Sequence, residues 1–490
     1  MSSRVLIRRL LALFFLLVSP LIAVPFAAAQ SASEDAESLQ RDIDALLSDR
    51  WSSQPAFWGV HVLDVESGES LYSYQADHAF IPASNQKLFT TSVALDQLGS
   101  SYRYETELHF NGTTEGGVMR GDLTLRGSGD PTFGSTEVRQ ADPLKAWAEQ
   151  LAEQGVERIE GRLIGDGRRF DGVNYPDSWD VGYITRQASR YIGTASGALS
   201  YGDNVVALRI NATQPGQPPT IRPYPTDALR IENNATTSSR WRGNALQMDR
   251  SFNANDLRLH GSVARSYNGT VNVPVTAPTD FTTRSFELAL EEAGIELDLD
   301  RVSAEALDNV PDRGNLLFVS LSPPLQDILP IINKRSNNFY AEQVMRTIGW
   351  GGSIRGGTER IEQFVRRANI SGTVDVYDGS GLSRRNLLSP RALTELLRYM
   401  DSHSEAEAFR ASLPHAGERN TTLEYRFSRE PVRAKTGSLR NVRSLAGYAE
   451  RPDGSRVAFA LIANNYSENA YRVRQTMDDI VRLITGSLSP

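Results

Sequence analysis

Three short motifs, spread along a chain of 490 residues, account for three of its four lysines. Lys87 closes Ser84-Asn85-Gln86-Lys87, Lys334 stands two residues before Ser336-Asn337-Asn338, and Lys435 opens Lys435-Thr436-Gly437. Lys145 lies elsewhere, and the other 48 basic residues are arginine. A guanidinium keeps its proton near neutral pH, whereas a lysine amine gives it up once desolvated or set beside another cation. A chain that uses Arg for permanent charge and keeps Lys at these places points to amine chemistry. Its fold must then bring one hydroxyl and two amines from distant segments into touching range.

On a helix, residues three apart share a face about one turn from each other, so the Lys87 amine can reach the Ser84 hydroxyl. Leu88, Phe89, Val93, Ala94 and Leu98 fall on one side of such a helix, opened by Ser84 and ended by Gly99. A serine at a helix N-terminus also has a backbone N–H free to meet an oxyanion. Lys87 acts as a base if it is buried beside another cation, for which Lys435 is the candidate, each lysine lowering the other's pKa. Gly437, inside a strand-like run over 432–439, marks close approach of another backbone or a ligand. An edge strand bearing Lys435 and Thr436 can pair with an extended peptide while holding its terminal carboxylate. Alone, Ser-x-x-Lys also fits an N-capping serine, and Ser336 to Asn338 fits a turn between helical stretches 325–333 and 339–348. The conjunction of all three, in this order and on the elements each requires, carries the serine acyl-transfer reading.

Arg4, Arg8 and Arg9, an apolar run from Leu10 to Val24 broken by Pro20, and Ala27-Ala28-Ala29 read as a secretory signal peptide over 1–29. An exported protein, periplasmic or in the cell envelope, is expected, with no transmembrane anchor in the mature chain. Cysteine is absent, so there are no disulfides or thiolate metal sites. Roughly 460 mature residues must hold together by core burial, in two or more domains. The formal charge is −7, or −10 without the leader, which argues against nucleic acid as a partner. Six scattered histidines without HExxH spacing predict no metal, and no cofactor is expected.

Alternation over 57–65 and 71–74 predicts an early hairpin, and 432–439, 444–450 and 456–463 predict three late strands. With helices over 35–49 and 467–483, they predict an α+β domain. Its antiparallel five-stranded sheet, flanked by helices, is assembled from both ends of the chain, 30–104 and 286–490. The middle, 105–285, is then a large β-rich insertion of one domain or two, the second nested near 204–275.

Ser-x-x-Lys, Ser-x-Asn and Lys-Thr-Gly in series resemble the penicillin-recognising serine enzymes. Gly127-Ser128-Gly129-Asp130-Pro131-Thr132, Asp378-Gly379-Ser380-Gly381-Leu382-Ser383-Arg384 and the 252-position gap from Ser84 to Ser336 narrow the resemblance. It is to the low-molecular-mass class C penicillin-binding proteins, the D-alanyl-D-alanine carboxypeptidases and endopeptidases of the DacB type, over nearly the whole mature chain. The resemblance implies a penicillin-binding transpeptidase-like (β-lactamase-like) catalytic domain. It implies Ser84 as the acylated nucleophile, Lys87 as its general base, Ser336 as proton relay to the leaving amine and Asn338 as a ligand of the substrate backbone. Lys435 and Thr436, next to Gly437, would bind the carboxylate of the terminal D-Ala, and the N–H groups of Ser84 and Ser438 would form the oxyanion hole. The implied partners are peptidoglycan stem peptides ending in or crosslinked through D-Ala, with β-lactams as covalent inhibitors.

The family also sets an acid over the site to meet the free amine of the stem peptide's diamino acid, and Asp180, within 175–183, is the candidate. Glu418-Arg419-Asn420-Thr421-Thr422 stands where the family has an Asp-Gly-Thr/Ser turn. Asp-Gly-Ser-Gly is strong turn chemistry, so 378–383 is expected to support the site and not to react. Two alternatives share the motifs. A serine β-lactamase must hydrolyse its acyl-enzyme fast and does not ordinarily carry an insertion near 180 residues. A non-catalytic penicillin sensor or cell-wall-binding scaffold usually couples its pocket to a membrane segment.

Overall fold

Both faces of the strand Arg456–Asn464 are apolar, which places it at the centre of a covered sheet. Ala458, Ala460 and Ile462 pack to one side, and Val457, Phe459, Leu461 and Ala463 to the other, as period-2 side chains must when both faces are buried. The computed structural model describes residues 37–48, 56–138, 140–185, 193–224, 228–241, 243–252, 254–309, 314–427, 430–467 and 470–488. In it this strand lies third in a five-stranded sheet of order Val432–Leu439, Val442–Glu450, Arg456–Asn464, Phe57–Asp64 and Ser70–Tyr74. Every neighbouring pair is antiparallel. One sheet therefore joins both ends of the chain, the α+β arrangement expected from the sequence. The small Ala446, Ala458 and Ala460 admit helices closely on one face, where Gln86–Leu98, Leu325–Lys334, Asn338–Ile348, Ile354–Arg367, Pro390–Asp401 and Ala406–Ser412 share a core. The helix 37–48 and the helix Ala470–Ile484 cover the other face. The leader expected over 1–29 lies outside the described residues. No helix among the described residues is long and apolar enough to cross a membrane.

A second five-stranded sheet has the order Glu296–Ser303, Arg158–Asp166, Val118–Arg126, Glu105–Glu115 and Asn315–Leu321. Val118–Arg126 and Arg158–Asp166 are parallel, which demands a crossover. The helix Pro143–Glu153 supplies it, with Asp142 accepting from Leu144 N and Lys145 N as N-cap. The strands from Val205–Asn211 to Asn268–Pro274 form two three-stranded sheets whose apolar sides join the same core. The boundary expected at 285 falls inside the helix Pro278–Glu292, and two strands of the second sheet follow it.

The helix Asn338–Ile348 ties this region to the first sheet. Tyr340 Oη donates to Ser135 Oγ at 2.7 Å, and Gln343 Nε2 donates to Gly197 O at 3.0 Å. The fully buried Arg346 donates to Ser196 Oγ at 2.8 Å and to Asp171 Oδ1 at 2.7 Å. The helix whose first residue is Asn338 is thus anchored along its length.

Candidate active site

Ser84 is the middle residue of a 3-10 turn, Ala83–Asn85, and the helix proper runs Gln86–Leu98. The α-helix expected to open at Ser84 begins two residues later, and the turn before it holds Ser84. Ala83 takes a left-handed φ of +49°, so the helical run cannot extend back beyond it. Ser444 Oγ secures the turn by donating to Pro82 O at 2.6 Å. Ser84 is half-buried, while every helix residue from Gln86 to Leu95 is buried.

Lys87 is completely buried. Its Nζ donates to Ser84 Oγ at 3.1 Å, Asn338 Oδ1 at 2.7 Å and Ser380 O at 2.6 Å, which uses the three donors of an ammonium. Burial brings Lys87 down to about 7, against the raising effect of the Asp378 and Glu342 carboxylates. An amine so poised beside a serine hydroxyl can take its proton near neutral pH.

Lys435, also fully buried, donates to Ser336 Oγ at 2.8 Å and to Thr436 O at 2.9 Å. Burial, and then the charge of Lys87, hold it well below the ordinary lysine value. Burial is the first cause for both lysines, and the charge of Lys87 adds to the depression of Lys435. Ser336, at φ +60°, holds the left-handed bend that turns its hydroxyl to Lys435.

The strand Val432–Leu439 is outermost in its sheet. Its first half is covered, since Ala434 N donates to Pro414 O at 3.1 Å and Val432 O accepts from Ala416 N at 3.0 Å. Alternate residues of a strand present their N–H groups to the same edge, so those of Thr436 and Ser438 face outward beyond the cover. A Cβ on Gly437 would lie 2.1 Å from Ser444 Oγ, 2.7 Å from Pro82 O and 3.1 Å from Ser84 N. The absent side chain is what lets the Ser84 turn rest on the strand beside Ser438.

Asp378 is fully buried and accepts from Gly381 N at 2.8 Å, Ser383 N at 2.7 Å, Asn386 Nδ2 at 2.7 Å and Trp179 Nε1 at 2.8 Å. It shapes the turn that presents Ser380 O to Lys87. Trp179 comes from the region between the first two motifs and packs with Tyr175, Tyr183, Ile184 and Leu382, with Leu439 against them. Trp179 and Glu342 escaped the sequence reading. Glu342 had one signal, an acid one helical turn after Asn338 and so on the same face of the helix.

Two residues stand apart. Asp180 is exposed, and its Oδ1 accepts from Gly182 N at 2.7 Å ahead of the short helix Val181–Thr185. Its described hydrogen bonds do not reach the motif side chains. Lys334 Nζ pairs with Glu418 Oε1 at 2.7 Å, and Thr422 N donates to Lys334 O at 3.0 Å. This lysine fastens the 418–422 segment to the helix leading into Ser336, so the argument from lysine scarcity overreached here. Among the described residues, no group of three or more His, Cys, Asp or Glu is arranged to hold a metal ion.

The sequence profile of the D-Ala-D-Ala carboxypeptidase 3 (S13) family matches residues 39–485. The D-alanyl-D-alanine carboxypeptidase of Actinomadura sp. (strain R39) is 31% identical to this chain, over 92% of this chain and 86% of that protein. The D-alanyl-D-alanine carboxypeptidase DacB of Haemophilus influenzae is 25% identical, over 84% and 85%. The crystal structure of penicillin binding protein 4 (dacB) from Haemophilus influenzae has the same fold, with a TM-score of 0.76 at 24% identity, covering 91% of this chain and 98% of that one.

Proposed function

The chain belongs to the D-Ala-D-Ala carboxypeptidase 3 (S13) family, and we propose that Ser84, Lys87, Ser336, Asn338, Lys435 and Thr436 carry its reaction. The protein is a serine-type carboxypeptidase acting on peptidoglycan, with a penicillin-binding fold. The observation that supports these roles most is the buried Lys87 amine, lowered to about 7 and 3.1 Å from Ser84 Oγ.

Free Lys87 takes the Ser84 proton as Oγ attacks the carbonyl carbon of the penultimate D-Ala. The N–H groups of Ser84 and Ser438 meet the oxyanion. Collapse breaks the peptide bond, and Ser336 gives its proton to the departing amine and regains one from protonated Lys87, which is left free again. D-Ala leaves, and water cleaves the ester to restore Ser84 and release the shortened stem peptide. Lys435 and Thr436 hold the terminal carboxylate, whose charge favours the ammonium form of Lys435. Asn338 holds the substrate backbone, the outer edge at Thr436 to Ser438 pairs with the extended peptide, and Asp180 meets the free amine of the diamino acid. β-Lactams acylate the same serine, and the leader directs the protein to the cell envelope.

Release of D-Ala from a pentapeptide ending in D-Ala-D-Ala, with wild type and Ser84→Ala, tests this. Release by wild type and its loss in the variant are expected, with one penicillin adduct on Ser84 by peptide mass mapping. An adduct on another residue overturns the assignment.

A further inference from the structure

We propose that Glu342 is a positioning residue for acylation, which holds the Lys87 amine against Ser84 through the Gly379–Ser380 segment. This deepens the reading above and rests on Ser84 and Lys87 being nucleophile and base.

Glu342 is fully buried on the helix Asn338–Ile348. Its Oε1 accepts from Ser380 N at 2.8 Å and its Oε2 from Gly379 N at 3.1 Å. The same two residues turn their carbonyls to the other helix. Ser380 O accepts from Lys87 Nζ at 2.6 Å, and Gly379 O accepts from Thr90 Oγ1 at 2.8 Å. The segment is thus gripped on its N–H side by the helix of Asn338 and on its carbonyl side by the helix of Lys87. It is also thin, since a Cβ on Gly379 would fall 2.6 Å from Ala341 O. A shift of either N–H anchor therefore moves the carbonyl that aims the base.

The charge of Glu342 reaches Lys87 as well. Its carboxylate and that of Asp378 raise the Lys87 value against burial. Burial and then Asp378 push Glu342 up, while the hydrogen bonds it accepts from Ser380 and Gly379, and then Arg346, act in the opposite sense. Lys435 completes the set of charged groups facing Lys87. A purely structural clamp would not alter where Lys87 loses its proton, whereas this one does.

Glu342→Gln keeps the shape but offers one acceptor oxygen and an NH2 group, so one of the two N–H groups meets a donor. It also removes a negative neighbour of Lys87, which then loses its proton at lower pH. With the full chain, acylation by labelled penicillin is expected to slow about tenfold to a hundredfold, and the acid limb of its pH profile to move to lower pH. Acylation within about twofold of wild type, or slow acylation with the limb unmoved, overturns the proposal. If Glu342→Gln does not fold, Glu342→Asp decides it. The charge stays but the carboxylate falls one methylene short, so slow acylation with the limb in place is expected and wild-type acylation overturns it. Wild-type labelling of Ser84 in the same experiment separates this outcome from failure of the nucleophile and base assignment.

Discussion

Lys435 Nζ donates a 2.8 Å hydrogen bond to Ser336 Oγ, joining residues 99 positions apart. Lys87 holds the other end of the same triplet, donating to Asn338 Oδ1 at 2.7 Å. The segment Ser336 to Asn338 is therefore braced between two buried amines, and loss of either donor releases one end of it. The first expected consequence concerns the amine nearer to Ser84.

Lys87→Arg keeps a positive charge and can still donate to Asn338 and Ser380, but a guanidinium does not deprotonate. Acylation by labelled penicillin is expected to fall by roughly 10²- to 10⁴-fold, the span of general-base effects. Near-normal labelling would remove Lys87 from the role of base.

The acylation rate of the wild type is expected to rise with pH through about 7 and level off above it, because the reactive amine is the unprotonated one and Lys87 sits at about 7. Second-order labelling constants measured across the neutral range give the midpoint. A midpoint at the ordinary lysine value of 10.5 would contradict a buried, desolvated base.

Gly437→Ala places a methyl group 2.1 Å from Ser444 Oγ and 2.7 Å from Pro82 O. The hydroxyl can rotate away, but the backbone carbonyl cannot, so the Ser84 turn must lift off the strand. A loss of acylation near 10²-fold is expected from displacement on this scale, with only a small fall in melting temperature. Unchanged labelling kinetics would show that the strand tolerates the separation.

His61 is buried in the main sheet, with Thr394 and Ser70 on its two ring nitrogens. Burial, then Arg391, lower it from 6.5 to about 4, with Asp77 acting in the opposite sense. The unfolded chain takes up a proton as pH falls through 6.5, but the folded one does not until about 4. The stability contributed by the neutral ring is thus complete above pH 6.5 and is lost as pH falls toward 4, up to about 3 kcal/mol. His61→Gln is expected to flatten the urea-midpoint curve over that window. An equal slope in both proteins would assign the acid sensitivity elsewhere.

Local pattern made much of the architecture legible. Period-2 alternation located the strands at both ends of the chain, and two early strands, three late ones and a helix at each end predicted their pairing into one sheet. Gly437 was readable as a point of close approach because few other causes put glycine in mid-strand. Long-range pairing was not readable. Nothing near Lys334 announces Glu418, and nothing near Trp179 announces Asp378, because such partners are chosen by the fold and not by spacing. The same holds for the two strands that follow residue 285, which join the second sheet through the parallel pairing of Glu296–Ser303 and the antiparallel pairing of Asn315–Leu321.

The strand Phe57–Asp64 pairs with Arg456–Asn464 along its whole length, so a ribosome delivers the two partners at opposite ends of synthesis. Until the later one emerges, the early hairpin carries an unmated edge and the nascent polypeptide has no pocket for an antibiotic to poison. A product cut short before residue 456 is expected to be drug-blind and prone to aggregate, so sensitivity to penicillin arrives as one of the last events in the making of the molecule.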